Sequence, residues 1–456
     1  MSTFAVAAAM DWTLILEFLV IAGALAMGAR MGGVGLGLWG ALGLLVLVVG
    51  FDVAPANIPG EVLLIVLTVI MAASAMEVAG GIDFLVRVAE RIIRKNPKQI
   101  TIVAPLVTYG FTFAAGTGHI VYPLLPVIYE VAHENGIRPE RPMAIATIAS
   151  QQAITASPVS AATAAMIGLL APHHIGLVQI LIICVPSTLI AVFVASLLQL
   201  RVGKELKDDP EYQKRLASGE VELPGAAGPE TNASLKPGSM TSALIFLAGV
   251  ALVVLAGIFP ELRTVPGAEK PIILSMPIAI AIVMLAVAAV ILTVTKAPVA
   301  EVPRCKTCQS GITAIIGILG LAWLGDTFIN ANRQAIIGGL SAMATAAPWT
   351  FAFGLFFASV LLYSQAATAR ALMPLGLSLG IWPLSLTGMF PAVNGYFLIP
   401  NYGTIIAAIN FDRSGTTRIG KYVINHSFLI PGLVSTTVAV AVGLLIGSLI
   451  GIETPH

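Results

Sequence analysis

The stretch Ala114-Ala115-Gly116-Thr117-Gly118-His119-Ile120-Val121-Tyr122-Pro123-Leu124-Leu125-Pro126 interrupts a hydrophobic segment at its middle, where a simple membrane helix stays apolar. Two glycines flank a threonine, and glycine takes backbone angles that other residues avoid, so Gly116-Thr117-Gly118 favours an unwound turn. At membrane depth, unwound backbone is tolerated only where it is buried in protein or lines a cavity. The stretch is therefore a candidate site, and the rest of the chain reads as what holds this turn and its counterparts in place.

Composition sets the surroundings. Of 456 residues, 57% are hydrophobic and 10% charged, whereas a soluble domain carries roughly 25% charged residues. The mean hydropathy is +0.94. These values exclude a water-soluble globular protein and point to the lipid bilayer. The net charge of +1 gives no ground for a nucleic-acid partner. The first apolar run, Trp12 to Met27, follows an acidic residue and no basic segment, so it reads as a retained span. Cys305 and Cys308 form a CxxC without a second Cys or His pair nearby, so no metal site is expected there.

Apolar runs long enough to span a membrane lie near 12–29, 33–51, 61–80, 176–200, 240–259, 271–295, 311–329 and 425–450. Two longer apolar regions, about 99–170 and 348–410, are broken by small and polar residues. The polar stretch 201–239 reads as a linker loop between an N-terminal repeat (1–200) and a C-terminal one (240–456). The halves carry paired interruptions. Gly116-Thr117 and Ser364-Gln365 each break an apolar run and are followed at the same distance by Pro126 and Pro374. Ser157-Pro158-Val159-Ser160 breaks one half downstream; Pro400-Asn401-Tyr402-Gly403-Thr404 breaks the other. Two halves with matching breaks are the mark of a transporter built from repeats.

The fold expected is an all-α polytopic membrane protein of two inverted repeats, with about ten spans plus two re-entrant hairpins. The hairpins fall at 99–134 and 348–380, and the broken helices at 143–170 and 384–410. Arg91, Arg94, Lys95 and Lys98 precede the first hairpin and Arg138 and Arg141 follow it, which places both its feet in the cytoplasm. Both termini then lie outside. The segment Ile82 to Lys95 is amphipathic and reads as a helix along the cytoplasmic interface.

Each break exposes the N-terminus of a half-helix, whose unpaired N–H groups and positive dipole end attract anions. Thr117, Ser157, Ser160, Ser364, Gln365, Asn401 and Thr404 add hydrogen-bonding groups, and Pro158 suits the first position of an outgoing half-helix. The bland reading of each hydroxyl is a bond to its own helix backbone. His119 would donate to a carboxylate, carry a proton, or simply support the turn. Arg370 would neutralise part of a dianion, or else snorkel or pair with Glu77 or Asp326. The site set expected to bind substrate is thus Gly116, Thr117, Gly118 and His119; Ser157, Pro158, Val159 and Ser160; Ser364, Gln365, Ala366 and Arg370; and Asn401, Tyr402, Gly403 and Thr404. An enzyme reading finds no acidic residue in sequence near His119 or Ser157 to complete a nucleophile–base pair.

At these residues the chain resembles the anaerobic C4-dicarboxylate transporter (Dcu) family, closest to its A-type branch. The resemblance rests on GTGHIVYPLLPVIYEVA, IRPERPMA, ITASPVSAA, GLAWLGDTFI, LLYSQAATARALMP and FDRSGTTRIGKYVINHSFLIPG, and runs over about residues 15–450. It implies a multi-pass carrier of the bacterial inner membrane for fumarate, succinate, malate and aspartate, working by exchange and alternating access. It implies no bound cofactor, with sodium or protons as candidate coupling ions, and, through a wider kinship with ion-transporter-superfamily carriers, a homodimer moving as an elevator. A sodium- or proton-coupled symporter for another small carboxylate is the alternative. Asn401-Tyr402-Gly403 departs from the Thr-Tyr-Pro implied by the resemblance, and the departure falls inside the expected site.

Overall fold

The computed structural model describes residues 12–31, 34–58, 60–122, 124–221, 235–265, 272–317, 319–320, 323–332, 347–362, 364–400, 402–420 and 425–452. Helices α1 (Trp12–Met31) and α2 (Gly35–Gly50) pack together. Helix α3 (Gly60–Val78) bends by 74° into α4 (Gly81–Lys95). Gly80 makes that corner at φ +84°, and a Cβ there would lie 2.5 Å from the Ser239 hydroxyl, so only glycine fits. Leu85, Ala89 and Ile93 of α4 are buried, and the helix packs on α5 (Ile100–Ala115), α6 (Leu124–Glu134) and α11 (Ser239–Ile258). Protein therefore covers this apolar stripe of the expected interfacial helix.

The middle of the chain continues with α7 (Glu140–Ala156), α8 (Ala161–Leu170), α9 (Leu177–Gln199) and α10 (Pro210–Ala217). After α11 comes a two-residue antiparallel pair, Thr264–Val265 with Ile272–Ile273, which with a lone antiparallel bridge between Ile419 and His426 makes up the β structure among the described residues. Helix α12 (Met276–Thr295) packs on α3. Then follow α13 (Lys306–Gly317), α14 (Trp323–Ala331), α15 (Phe351–Leu362), α16 (Gln365–Ser378) and α17 (Pro383–Met389). A 3₁₀ turn, Phe390–Phe397, leads toward α18 (Gly403–Phe411) and the long α19 (Leu429–Ile452).

The run read at 311–329 falls on α13 and α14, with residues 319–320 helical between them. Glycines let α2 and the end of α13 meet backbone to backbone, since a Cβ on Gly37 would strike Ile316 O. The linker after α9 also carries structure. Asp209 caps α10 by accepting from the Glu211 and Tyr212 amides at 3.0 and 3.1 Å, and Pro210 occupies the first turn. Tyr212 packs with Leu206 and Val221 beneath it. Burial works against the Asp209 carboxylate, but the Arg138 guanidinium and the capped amides hold its pKa below the usual carboxylate range.

Among the described residues, five helices are long and apolar enough to cross a membrane, or six with the bent α3–α4 pair as one. Burial separates them. The broken stretch Glu140–His173 is 78% buried inside the protein, against 39% for Ser239–Ile258 and 28% for Leu429–Gly451. The break thus lies at the centre, with smoother helices around it. Lipid tails are as apolar as leucine, so helices hold together through close packing rather than through escape from water. Accordingly α17 meets α19 at Gly388 and Gly443, where a Cβ on Gly443 would sit 2.5 Å from Gly388 O.

Candidate functional site

Helix α5 ends at Gly116, whose φ of +72° turns the chain and whose N–H bonds Thr112 O at 2.8 Å. A Cβ on Gly116 would lie 2.7 Å from Val159 O, so the tip rests directly on the break between α7 and α8. Gly118 lies against the side-chain amide of Gln151, and its carbonyl accepts from Ser150 Oγ at 3.0 Å. Thr117 lines a cavity of about 150 Å³ between this tip, the break, α3 and α13. Its walls are mostly apolar, with Thr117, Ser160 and Thr307 as the hydroxyl-bearing residues. The backbone of His119 lies in the 3₁₀ turn Gly118–Val121; its side chain is outside the described residues.

The hydroxyls of the first break are used locally. Ser157 Oγ donates to Phe113 O at 2.6 Å. Ser160 Oγ donates to Ile154 O at 2.6 Å and accepts from Thr163 N at 3.0 Å, so Ser160 is the N-cap of α8. Pro158 is therefore not the first residue of the outgoing half-helix; it and Val159 sit buried in the turn ahead of the cap. The capping hydroxyl marks the helix start, because the Thr163 amide it accepts from is a first-turn N–H with no carbonyl partner within α8.

In the second half, Ser364 caps α16 by accepting from Ala367 N at 3.2 Å. Gln365 then reaches across the molecule. Its Nε2 donates to Gln151 Oε1 at 2.9 Å and to Asn394 Oδ1 at 3.2 Å. Asn394 donates in turn to Gln152 Oε1 at 3.1 Å, and Gln152 Nε2 donates to Thr436 Oγ1 at 3.1 Å. Four amides from α7, α16 and the 390–397 turn thus form one buried network, in which Gln151 Nε2 has no partner. Ala366 is buried beside it. Arg370, farther along α16, bonds Asp326 Oδ2 at 3.0 Å, so its charge is met by a carboxylate within the protein.

The second break is longer than the Pro400–Thr404 interruption read from the sequence. Helix α17 ends at Met389, Asn394 leaves helical geometry (φ −97°, ψ 26°), and helix resumes at Gly403. Asn401 lies outside the described residues. Among the described residues no side chain caps α18. A Cβ on Gly403 would lie 2.5 Å from the Tyr122 hydroxyl, which brings the first hairpin against the second break. Tyr402 packs on Tyr396 with ring centroids 4.8 Å apart. The hydroxyls of Thr404 and Tyr396 are buried without a partner among the described residues. Gln151, Gln152, Asn394, Tyr122 and Tyr396 were not picked out from sequence. The available signal was the pair of adjacent amides, Gln151-Gln152, inside an otherwise apolar region.

The family model described as "Anaerobic c4-dicarboxylate membrane transporter" matches residues 13–451. The chain belongs to this family. It is 45% identical to the C4-dicarboxylate transporter DcuA of Escherichia coli K12 over 438 residues, covering 95% of this chain and 99% of that one. It is 43% identical to DcuA of Wolinella succinogenes, covering 96% and 100%. Against the anaerobic C4-dicarboxylate transporter DcuB of Escherichia coli O6:H1 the identity is 38%, with coverage of 96% and 99%. Among solved structures, the YdaH transporter of Alcanivorax borkumensis is similar with a TM-score of 0.58 at 17% identity, covering 97% and 98%. MtrF of Neisseria gonorrhoeae is similar with a TM-score of 0.55 at 13% identity, covering 95% and 94%. These two likenesses show the fold. This member of the C4-dicarboxylate transporter family is a multi-pass membrane protein, and its family is one of transporters rather than enzymes.

Proposed function

We propose that this family member exchanges C4-dicarboxylates, among them fumarate, succinate, malate and aspartate, by alternating access around the junction of the breaks. The observation that carries the reading is the amide network. Gln151 and Gln152 from one half meet Gln365 and Asn394 from the other, beside the partnerless Gln151 Nε2 and between two half-helix starts, Ser160 and Gly403. These groups are uncharged dipoles and donors, suited to holding a dianion without locking it in place. Thr117 and the Gly116–Gly118 backbone at the tip, and Ser364 and Thr404 at the second-half starts, complete the assigned site. Ser157, Pro158, Val159 and Ser160 shape it through the break, and Arg370 supports it from its pair with Asp326.

Reciprocal packing supports the inverted-repeat reading. Helix α8 packs on α16 of the second hairpin, while α18 packs on α6 of the first, and α9 packs along α19. The orientation with both termini outside follows from the basic residues around 91–98 and 138–141. Exposed leucines on α1, α2 and α11 give these helices outer faces for lipid and for a second copy in a homodimer.

Counterflow tests this reading. Proteoliposomes loaded with unlabelled succinate should take up labelled fumarate or aspartate faster than empty ones, with or without sodium, and Gln365→Leu should slow that uptake at least tenfold while the protein remains folded. Uptake that needs sodium and ignores internal succinate would replace exchange by symport. Absence of uptake for every C4 acid would overturn the substrate class.

A further inference from the structure

A second cavity, of about 550 Å³, opens where the loops after α9 and before α19 meet the start of α7. Its walls are tied together by polar bonds. Arg138 donates to Glu140 at 2.5 Å and also to Asp209, and Glu140 accepts from Ser427 Oγ at 2.6 Å. The Glu140 amide donates to Thr416 Oγ1 at 3.1 Å. The charge of Arg138 is consumed by these carboxylates. Two groups are not. Gln199 lines the cavity at 1% exposure, and both its amide nitrogen and its amide oxygen lack a partner. A buried amide satisfied at neither end is rare in native proteins and calls for a guest. Arg418 stands exposed at the rim, within electrostatic reach of Glu211, and has no carboxylate within ion-pair distance among the described residues. The exposed Arg201 and Lys204 flank the lining residues Val202 and Gly203. The mouth is apolar as well, since Ile419 and Ile430 line it at 41% and 55% exposure.

A cationic rim, a floor with one amide donor and one acceptor, and an apolar mouth together match an amphiphile with a phosphate head. Basic pockets between membrane helices are suited to anionic headgroups, and guanidinium groups to phosphate oxygens. We propose that this cavity binds a phosphate-bearing ligand, the headgroup of an anionic membrane phospholipid. Arg418 pairs with the phosphate, Gln199 bonds the polar groups beside it, and Ile419 and Ile430 meet the first methylenes of the chains. The site is separate from the junction of the breaks and does not depend on which substrate crosses there.

Thermal unfolding of the full-length protein in detergent tests the proposal, with phosphatidylglycerol, phosphatidylcholine or inorganic phosphate added at matched ionic strength. Phosphatidylglycerol should raise the midpoint by about 2–4 °C over phosphatidylcholine. Arg418→Gln and Gln199→Leu should each lose most of that difference. Arg418 is at the exposed rim, so its variant carries the test even if Gln199→Leu folds poorly. A shift from inorganic phosphate that the same variants abolish would uphold the phosphate site and make its source a soluble ligand. Equal midpoints in the two lipids with no phosphate effect, or shifts untouched by both variants, would overturn it.

Discussion

Ser157 gives its hydroxyl hydrogen to Phe113 O, so its side chain joins the incoming arm of the first hairpin to the break. Ser157→Ala should leave that carbonyl without its partner and cost about 1–3 kcal/mol, read as a lower unfolding midpoint in detergent. Ser160→Ala removes the α8 cap and should cost about 1 kcal/mol by the same measurement. Gly116→Ala combines a left-handed φ with a contact to Val159 O, and should destabilise more than an ordinary surface change. Arg370 and Asp326 are both mostly buried. Asp326→Ala should therefore cost about 3–5 kcal/mol by stranding the guanidinium, while replacing both by leucine should recover most of the loss. A double variant no more stable than Asp326→Ala would refute this account of the pair.

At the scale of elements, α10 and its cap form a docked unit outside the spans. Asp209 has a depressed pKa in the folded protein, so its stabilising contribution is present above its unfolded value and is lost as pH falls through the folded one. Amide protection factors over Pro210–Ala217, taken relative to the intrinsic rate at each pH, should therefore fall as the pH is lowered below about 4, and Arg138→Ala should lower them already at neutral pH. The apolar runs that became α1, α2, α3, α9, α11, α12 and α19 were legible because a membrane span needs little more than length and hydropathy. The turn at Gly116–Gly118 was legible because glycine and polar residues interrupt such a run. The close crossing of α2 and α13 at Gly37 was not, since it depends on which helices the topology brings together. Pro158 misled because proline suits a first helical turn, and only the bond from Ser160 to Thr163 N shows where the helix begins. The amide network escaped notice for a related reason. Gln151 and Gln365 are 214 residues apart, so their pairing follows from topology rather than from local pattern.

At the scale of the whole molecule, the most buried candidate span is also the one that carries Gln151, Gln152 and the break. Its two glutamine side chains find partners on segments encoded far downstream. Gln152 finds Ser435 and Thr436 only after a further 283 and 284 residues. At 5–20 residues per second, about 15–60 s of synthesis separate the two. Throughout that interval the amides of Gln151 and Gln152 lack the partners that α16, the 390–397 turn and α19 later bring. The span most buried in the finished protein is therefore completed late, when α19 arrives to close the bundle around its amides.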